Sequence, residues 1–239
     1  MTRDHDNHDK NTPFISFVVP CYNEAPHLEG AVKEIDRTAL ECGVNDYEII
    51  LVDDAGSDDS GKIMARLAAE KPYIKHITNL KNLGFGGAYK TGVRHATGKY
   101  VIMVPGDNNH PSDGVAPIIR LAGEADMIIP FITNPGVRGV KRQIISRAFT
   151  RLMNFLFNLD VPYYNGLVLH RTDLLRRIAI ETDGFAYQAE AVIKLLKGGA
   201  DYKTVGVKLN DANPHSSAFR LKNIYRVIKT IVTLKWRIG

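Results

Sequence analysis

The sequence predicts an α/β domain, a three-layer sandwich built on a mostly parallel sheet. Three observations predict it. Strand-like apolar runs and helix-like stretches alternate four times in the first 125 residues, the order that parallel strands with helical crossovers produce. Acids or amides follow the runs, with Glu24, Asp53, Asp54, Asn82 and Asp107 all placed after strands. The size and composition fit one such domain: 239 residues, 44% hydrophobic and 24% charged, enough to bury an ordinary core.

The elements follow in order. Residues 1–12 carry no apolar side chain after Met1 and read as a disordered tail. Phe14 to Val19 is a buried strand stopped by Pro20, with Cys21 to Glu24 as its loop. A helix from about Pro26 to Glu41 puts Leu28, Ala31, Val32, Ile35 and Ala39 on one face. Tyr47 to Val52 is the second strand and ends in Asp53-Asp54. Ser57 is a candidate N-cap for the next helix, striped by Ile63, Met64, Leu67 and Ala68. Ile74 to Thr78 is the third strand, followed by a glycine-rich loop from Asn79 to Ala88 and a helix to about Ala96. Tyr100 to Val104 is the fourth strand, broken by Pro105-Gly106 before Asp107-Asn-Asn-His110.

The second half is less regular. A helix over Asp113 to Ala122 and a strand over Asp126 to Pro130 precede a basic loop from Gly136 to Arg142. A helix is expected over Ile144 to Leu159, then a loop entering a strand near Tyr163 to Leu169. Short helices over Leu174 to Ile180 and Tyr187 to Leu196 and a strand over Val205 to Leu209 complete a domain of residues 13–217. Residues 218–239 read as a basic amphipathic helix, with Ile224, Val227, Ile228, Ile231 and Leu234 at spacings of three and four and Trp236 near its end. That stripe can pack on the domain, on a second subunit in a homodimer, or lie on a membrane surface.

Charge is concentrated. Residues 127–159 contain five basic side chains and no acid, and residues 212–239 contain six and no acid. Those eleven leave 20 basic against 26 acidic residues elsewhere, so a local anionic partner is implied. Aromatic residues are not interleaved with the basic ones in any recognisable nucleic-acid module, so no nucleic-acid partner is expected. No apolar run reaches the ~18–20 residues that a membrane-spanning helix needs. Cys21 and Cys42 stand in no metal or redox spacing. A cytoplasmic protein, peripheral at most on the inner face of the membrane, is the expectation.

The turn after the fourth strand offers one carboxylate and two amides, ligands that suit a hard cation and the phosphates it carries. Ligands in open α/β sheets bind outside the carboxyl ends of strands. The glycines at 84, 86 and 87 allow close backbone approach but match neither a dinucleotide fingerprint nor a P-loop.

Four stretches carry a resemblance: Val18-Val-Pro-Cys-Tyr-Asn-Glu24, Ile50-Leu-Val-Asp-Asp-Ala-Gly-Ser-Asp58, Asn82-Leu-Gly-Phe-Gly-Gly-Ala88, and Asp107 followed by His110-Pro111. In order and spacing they are similar to a family 2 glycosyltransferase, nearest the dolichol-phosphate mannose synthase-like branch. The resemblance implies the GT-A fold, a Rossmann-like nucleotide-diphospho-sugar domain. It implies an inverting transfer from a UDP- or GDP-sugar to a polyprenyl phosphate or another membrane-associated acceptor. Pro20, Tyr22 and Glu24 would border the base, and Asp53 or Asp54 would hold base or ribose. Asn82 and Gly86 fall in the third stretch and join the donor-binding set. Asp107 would bind Mg²⁺ or Mn²⁺ with Asn109 as a neutral helper, because Pro105 stands where the family's first Asp belongs. Arg138, Arg142 and Arg147 could hold an acceptor phosphate. Glu190 is the candidate base if the acceptor is a hydroxyl. Transfer to a soluble hydroxyl, or nucleotide-sugar binding with weak catalysis, are the alternative readings.

Overall fold

The computed structural model describes residues 13–107, 112–184, 186–209 and 235–236. The expected tail over 1–12, the ligand Asn109 and most of the expected helix from 218 lie outside the described residues.

Seven strands form one sheet. In chain order they are β1 (Ile15–Cys21), β2 (Tyr47–Asp53), β3 (Ile74–Thr78), β4 (Tyr100–Met103), β5 (Met127–Ile132), β6 (Leu169–Arg171) and β7 (Tyr202–Val207). Across the sheet the order is β3-β2-β1-β4-β6-β5-β7. All neighbours are parallel except the three-residue β6, which runs antiparallel to both β4 and β5. Strands β5 and β7 therefore point the same way as β1 to β4, and six of the seven end on one edge.

The helices are α1 (Leu28–Glu41), α2 (Ser60–Glu70), α3 (Gly84–His95), α4 (Ser112–Ile119), α5 (Val140–Phe157), α6 (Thr172–Arg177) and α7 (Tyr187–Lys197). They form two outer layers, and the pleat explains how β1 serves both. Phe17 and Val19 face Leu28, Val32 and Ile35 of α1, Met64 of α2 and Ile118 of α4. Val18, pointing the other way, faces Ala88, Tyr89 and Val93 of α3 and the core residues of α5 and α7. Each of these apolar side chains contributes about 1.5–3 kcal/mol on full burial.

The structure departs from the sequence reading at three places that matter for the site. Strand β1 runs through Pro20 to Cys21 rather than stopping before it. Helix α3 starts at Gly84, so the glycines expected in a loop form its first turn. Helix α5 starts at Val140 and takes in Lys141 and Arg142 from the expected basic loop.

Candidate active site at the carboxyl edge of the sheet

The chain adds β2 and β3 on one side of β1 and then places β4 on the other. This reversal is a topological switch point, where the loops leaving neighbouring strands diverge and a crevice opens. The sequence enforces the opening. The register between β1 and β4 ends at Val18 and Met103, with one further bond donated by Val104 N–H to Val18 O (2.9 Å). Pro20 has no N–H with which to extend the ladder. Gly106 then lies on β1, where a Cβ would sit 2.6 Å from Cys21 Sγ. Only glycine lets the segment carrying Asp107 lie so close.

Two loops are laced together beside this crevice. Asn23, at φ 59°, accepts hydrogen bonds at Oδ1 from Ser57 N–H (2.7 Å) and Asp58 N–H (3.3 Å). Glu24 N–H donates to Ser60 Oγ (2.9 Å), and Ala25 N–H donates to Asp58 Oδ2 (3.0 Å). Ala55 is also held at positive φ (60°), a costly conformation for a non-glycine residue that persists where the surroundings over-determine it. The lacing fixes Tyr22, half exposed, and Glu24 over the ends of β1 and β2.

Negative charge converges here. Burial pushes the Cys21 thiol far up, and the carboxylates of Glu24, Asp53, Asp58 and Asp107 push it further. The Glu24 carboxyl is raised above its ordinary range by burial and then by Asp107. Among the described residues no three acidic, histidine or cysteine side chains are close enough to form a ready metal cage. The donor chemistry still fits a divalent cation. Mg²⁺ is commonly held by one or two carboxylates together with substrate phosphates and water, and like-charged carboxylates gain from a cation between them.

Asp53 and Asp54 have different surroundings. Asp53 Oδ1 accepts from Gly56 N–H (2.9 Å) in the turn beside the crevice. Asp54, almost fully buried, accepts from Asn79 Nδ2 (2.8 Å) and Leu83 N–H (2.9 Å) at Oδ1 and from Gly84 N–H (2.9 Å) at Oδ2. Its carboxylate braces the start of α3. Asn82 helps, accepting from Gly84 N–H (3.0 Å). Gly86 is committed as well: its N–H donates to Asp183 O (2.9 Å), and a Cβ there would meet that carbonyl at 2.9 Å. Asp54, Asn82 and Gly86 are thus part of a brace next to the crevice rather than groups that project into it.

The brace continues to Glu190. Lys90 pairs with Asp183 (2.5 Å) and donates to Ile180 O (3.1 Å). From the other side Glu190, 1% exposed, accepts from Glu181 N–H (3.0 Å), Thr182 N–H (2.9 Å) and Lys194 Nζ (2.7 Å). Burial would raise its carboxyl, but these donors outweigh burial and lower it. A buried carboxylate with both oxygens so engaged is a poor proton acceptor. The geometry ties Glu190, the candidate base of the sequence reading, to residues 181–182.

A second site lies further along the same edge. Strand β5 is two strand spacings from β4, roughly 10 Å. At its end a cavity of about 320 Å³ is lined by Arg138, Arg147 and Arg151, by Ser146, Thr150 and Tyr163, and by the apolar Phe131, Ile132, Pro135 and Pro162. No acid lines it. Tyr163 orients Arg138, accepting its Nη1–H at 3.0 Å with the guanidinium 5.8 Å from the ring centre. Arg142 does not line the cavity; burial, then Arg138, lowers its pKa. Arg151 was not singled out from the sequence, although its i+4 spacing from Arg147 on α5 was a usable signal. Asn23, Asp58 and Ser60 were missed because their role depends on a contact more than thirty residues away in sequence.

Comparison with known proteins adds three findings. The sequence model described as "Glycosyl transferase family 2" matches residues 16–182. An undecaprenyl-phosphate 4-deoxy-4-formamido-L-arabinose transferase of Edwardsiella ictaluri is 34% identical over 231 residues, 94% of this chain and 68% of the relative. A Klebsiella pneumoniae protein of the same name is 27% identical over 140 residues, and a dolichyl-phosphate beta-glucosyltransferase of Trichomonas vaginalis is 35% identical over 98. Those alignments cover 58% and 39% of this chain but only 42% and 29% of the relatives. Among solved structures, glucosyl-3-phosphoglycerate synthase from Mycobacterium tuberculosis in complex with UDP superposes with a TM-score of 0.70 at 18% identity, covering 95% of this chain and 81% of that one. A mannosyltransferase from Pyrobaculum calidifontis in complex with GDP-Man and Mn²⁺ gives 0.65 at 19%, covering 94% and 65%. At such identities the likeness speaks for the fold alone, and the fold is GT-A.

Proposed function

The chain belongs to glycosyl transferase family 2, and from that premise we propose that it moves a sugar from a nucleoside diphosphate onto a polyprenyl phosphate, inverting the anomeric carbon. One observation carries the reading: a carboxylate-lined crevice beside β1 and β4, and a cavity at the end of β5 with arginines, apolar walls and no acid among its described lining residues, share one edge of the sheet. The crevice suits a donor that arrives with a cation. The cavity suits an acceptor that is an anion on a hydrocarbon chain.

Pro20, Tyr22 and Glu24 border the base, and Asp53, beside the crevice, is the carboxylate for base or ribose. A bound Mg²⁺ or Mn²⁺, held by Asp107 with Asn109 and the donor's own phosphates, would neutralise charge on the departing diphosphate. Arg138, Arg147 and Arg151 grip the acceptor phosphate by charge-assisted hydrogen bonds. A phosphate oxygen then forms the bond to the anomeric carbon as the bond to the nucleoside diphosphate breaks. The acceptor is already ionised, so no proton has to be removed. That chemistry agrees with a Glu190 carboxylate committed elsewhere. The names of the relatives, transferases acting on undecaprenyl and dolichyl phosphates, support the acceptor class.

The test is transfer from a panel of UDP- and GDP-sugars to undecaprenyl phosphate in detergent with Mn²⁺ or Mg²⁺, with the anomeric configuration of the product read by NMR. An acid-labile lipid-linked sugar is expected. Transfer to soluble hydroxyl acceptors with none to the lipid phosphate would overturn the proposal.

A further inference from the structure

One side chain in the arginine cavity combines an apolar body with a polar tip: Tyr163. The chain presents it on a fixed mount. Asn154 of α5 accepts at Oδ1 from Val161 N–H (3.1 Å) and Tyr164 O–H (2.7 Å), and donates from Nδ2 to Val161 O (3.0 Å). Val161 and Tyr164 are fully buried, and the Tyr164 ring packs edge-on against Phe149 of α5, 6.4 Å between ring centres. Pro162, whose ring fixes φ, stands between them and Tyr163. With both flanks tied to α5, the half-buried Tyr163 is held against the cavity.

The hydrogen-bond inventory of the pair leaves one proton over. A phenol has one proton to donate and lone pairs with which to accept. Arg138 uses the lone pair: its Nη1–H donates to Tyr163 Oη at 3.0 Å, and its guanidinium lies 5.8 Å from the ring centre. Gln143 Nε2 donates to Arg138 O (2.7 Å) and so fixes the arginine from its backbone. A guanidinium has no acceptor to offer in return. The Tyr163 proton is therefore left for another partner, and among the described residues no group takes it. A hydroxyl that accepts from a cation is polarised by it and becomes a stronger donor.

The cavity restricts what that partner is. Arg138, Arg147 and Arg151 line it, with no acid among its described lining residues, so the partner is an anion rich in acceptors. A phosphate monoester presents three strong acceptor oxygens. One must keep a lone pair for the anomeric carbon, and the others are available to be held.

We propose that the Tyr163 hydroxyl donates to a non-reacting oxygen of the acceptor's phosphate monoester while it accepts from Arg138. Tyrosine and arginine then grip the phosphate as a pair. The inference rests on the acceptor reading above.

The test is calorimetry of the full chain with geranyl phosphate at pH 6, where the phenol keeps its proton. Tyr163→Phe retains the ring beside Arg138 and removes only the hydroxyl. It should weaken binding about ten- to a hundredfold, the range of a hydrogen bond to a charged group. In turnover the same factor should appear in the KM for geranyl phosphate with kcat little changed, as for a contact made equally in ground and transition states. A second variant separates donation to the phosphate from mere support of Arg138. Tyr163→3-fluorotyrosine makes the phenol more acidic, hence a better donor and a poorer acceptor, and should bind geranyl phosphate more tightly than the parent. Weaker or unchanged binding by that variant, or parent-like binding by Tyr163→Phe, overturns this inference alone. Failure of the parent chain to bind geranyl phosphate overturns the acceptor reading and this inference together.

Discussion

Asp53 and Asp54 are adjacent identical residues with opposite surroundings, and the difference decides what each can do. Asp54 is nearly sealed and holds three donors around the start of α3. Asp54→Ala leaves Asn79 Nδ2 and Leu83 N–H without partners, while Gly84 N–H keeps Asn82. A destabilisation of about 2–6 kcal/mol is expected in urea unfolding, at about 1–3 kcal/mol per orphaned buried donor. Asp53→Asn should cost less stability and instead weaken donor binding in calorimetry. Glu24 supplies a pH test. Its carboxyl is raised by burial and by Asp107, so the folded chain keeps that proton to higher pH than the unfolded chain. Its contribution to stability is therefore fully present below about 4.5, the ordinary glutamate value, and is lost as pH rises through the raised value. Without metal, Glu24→Gln should gain in Tm over the parent at pH 7.5 and gain little at pH 4. An equal gain at both pH values would mean that the raised Glu24 carboxyl, from burial and then Asp107, is not the cause. The sequence placed both aspartates after a strand but could not tell them apart, because the partners of Asp54 lie 25 to 30 residues away.

The element that the sequence misjudged is α3. Glycine is a poor helix former, so four glycines between 84 and 92 argue locally for a loop. Tertiary packing overrides that preference. A Cβ at Gly92 would lie 2.2 Å from Val18 Cγ1, and one at Gly86 would lie 2.9 Å from Asp183 O. The helix contains glycines because it lies directly on β1 and on the 183–184 segment. Gly92→Ala should cost about 1–3 kcal/mol through overpacking. At α7 the sequence found the helix and Glu190 but not its task. If Glu190 is a clamp, Glu190→Gln loosens residues 181–182 and lowers turnover without moving the pH dependence of kcat. A loss of the acid limb of that profile, where a base must give up its proton to act, would instead restore it as a general base.

At the scale of the whole molecule, the alternation of the first half was legible and gave β1 to β4 with their helices. In the second half the sequence also found α4, β5, α5, α7 and β7, but not the place or direction of β6, which is three residues long and runs against its neighbours, too short for a periodic signal. Its insertion between β4 and β5 is what separates the two sites: without it the arginine cavity would lie one strand closer to the carboxylates. The separation makes the sites independent enough to test apart. Asp107→Asn should weaken nucleotide-sugar binding in the presence of Mn²⁺ and leave the acceptor KM unchanged. Arg147→Gln/Arg151→Gln should raise the KM of a water-soluble prenyl phosphate and leave the donor KM unchanged. Each lost charge-assisted bond is worth about 1.5–3 kcal/mol, so a rise of about two to four orders of magnitude is expected for the pair at about 1.4 kcal/mol per tenfold. Residues with no shared partner are expected to add. The triple variant should therefore show the donor defect of one parent and the acceptor defect of the other, with no extra coupling. A donor KM that rises with the arginine substitutions alone would place the arginine cavity on the donor rather than on the acceptor.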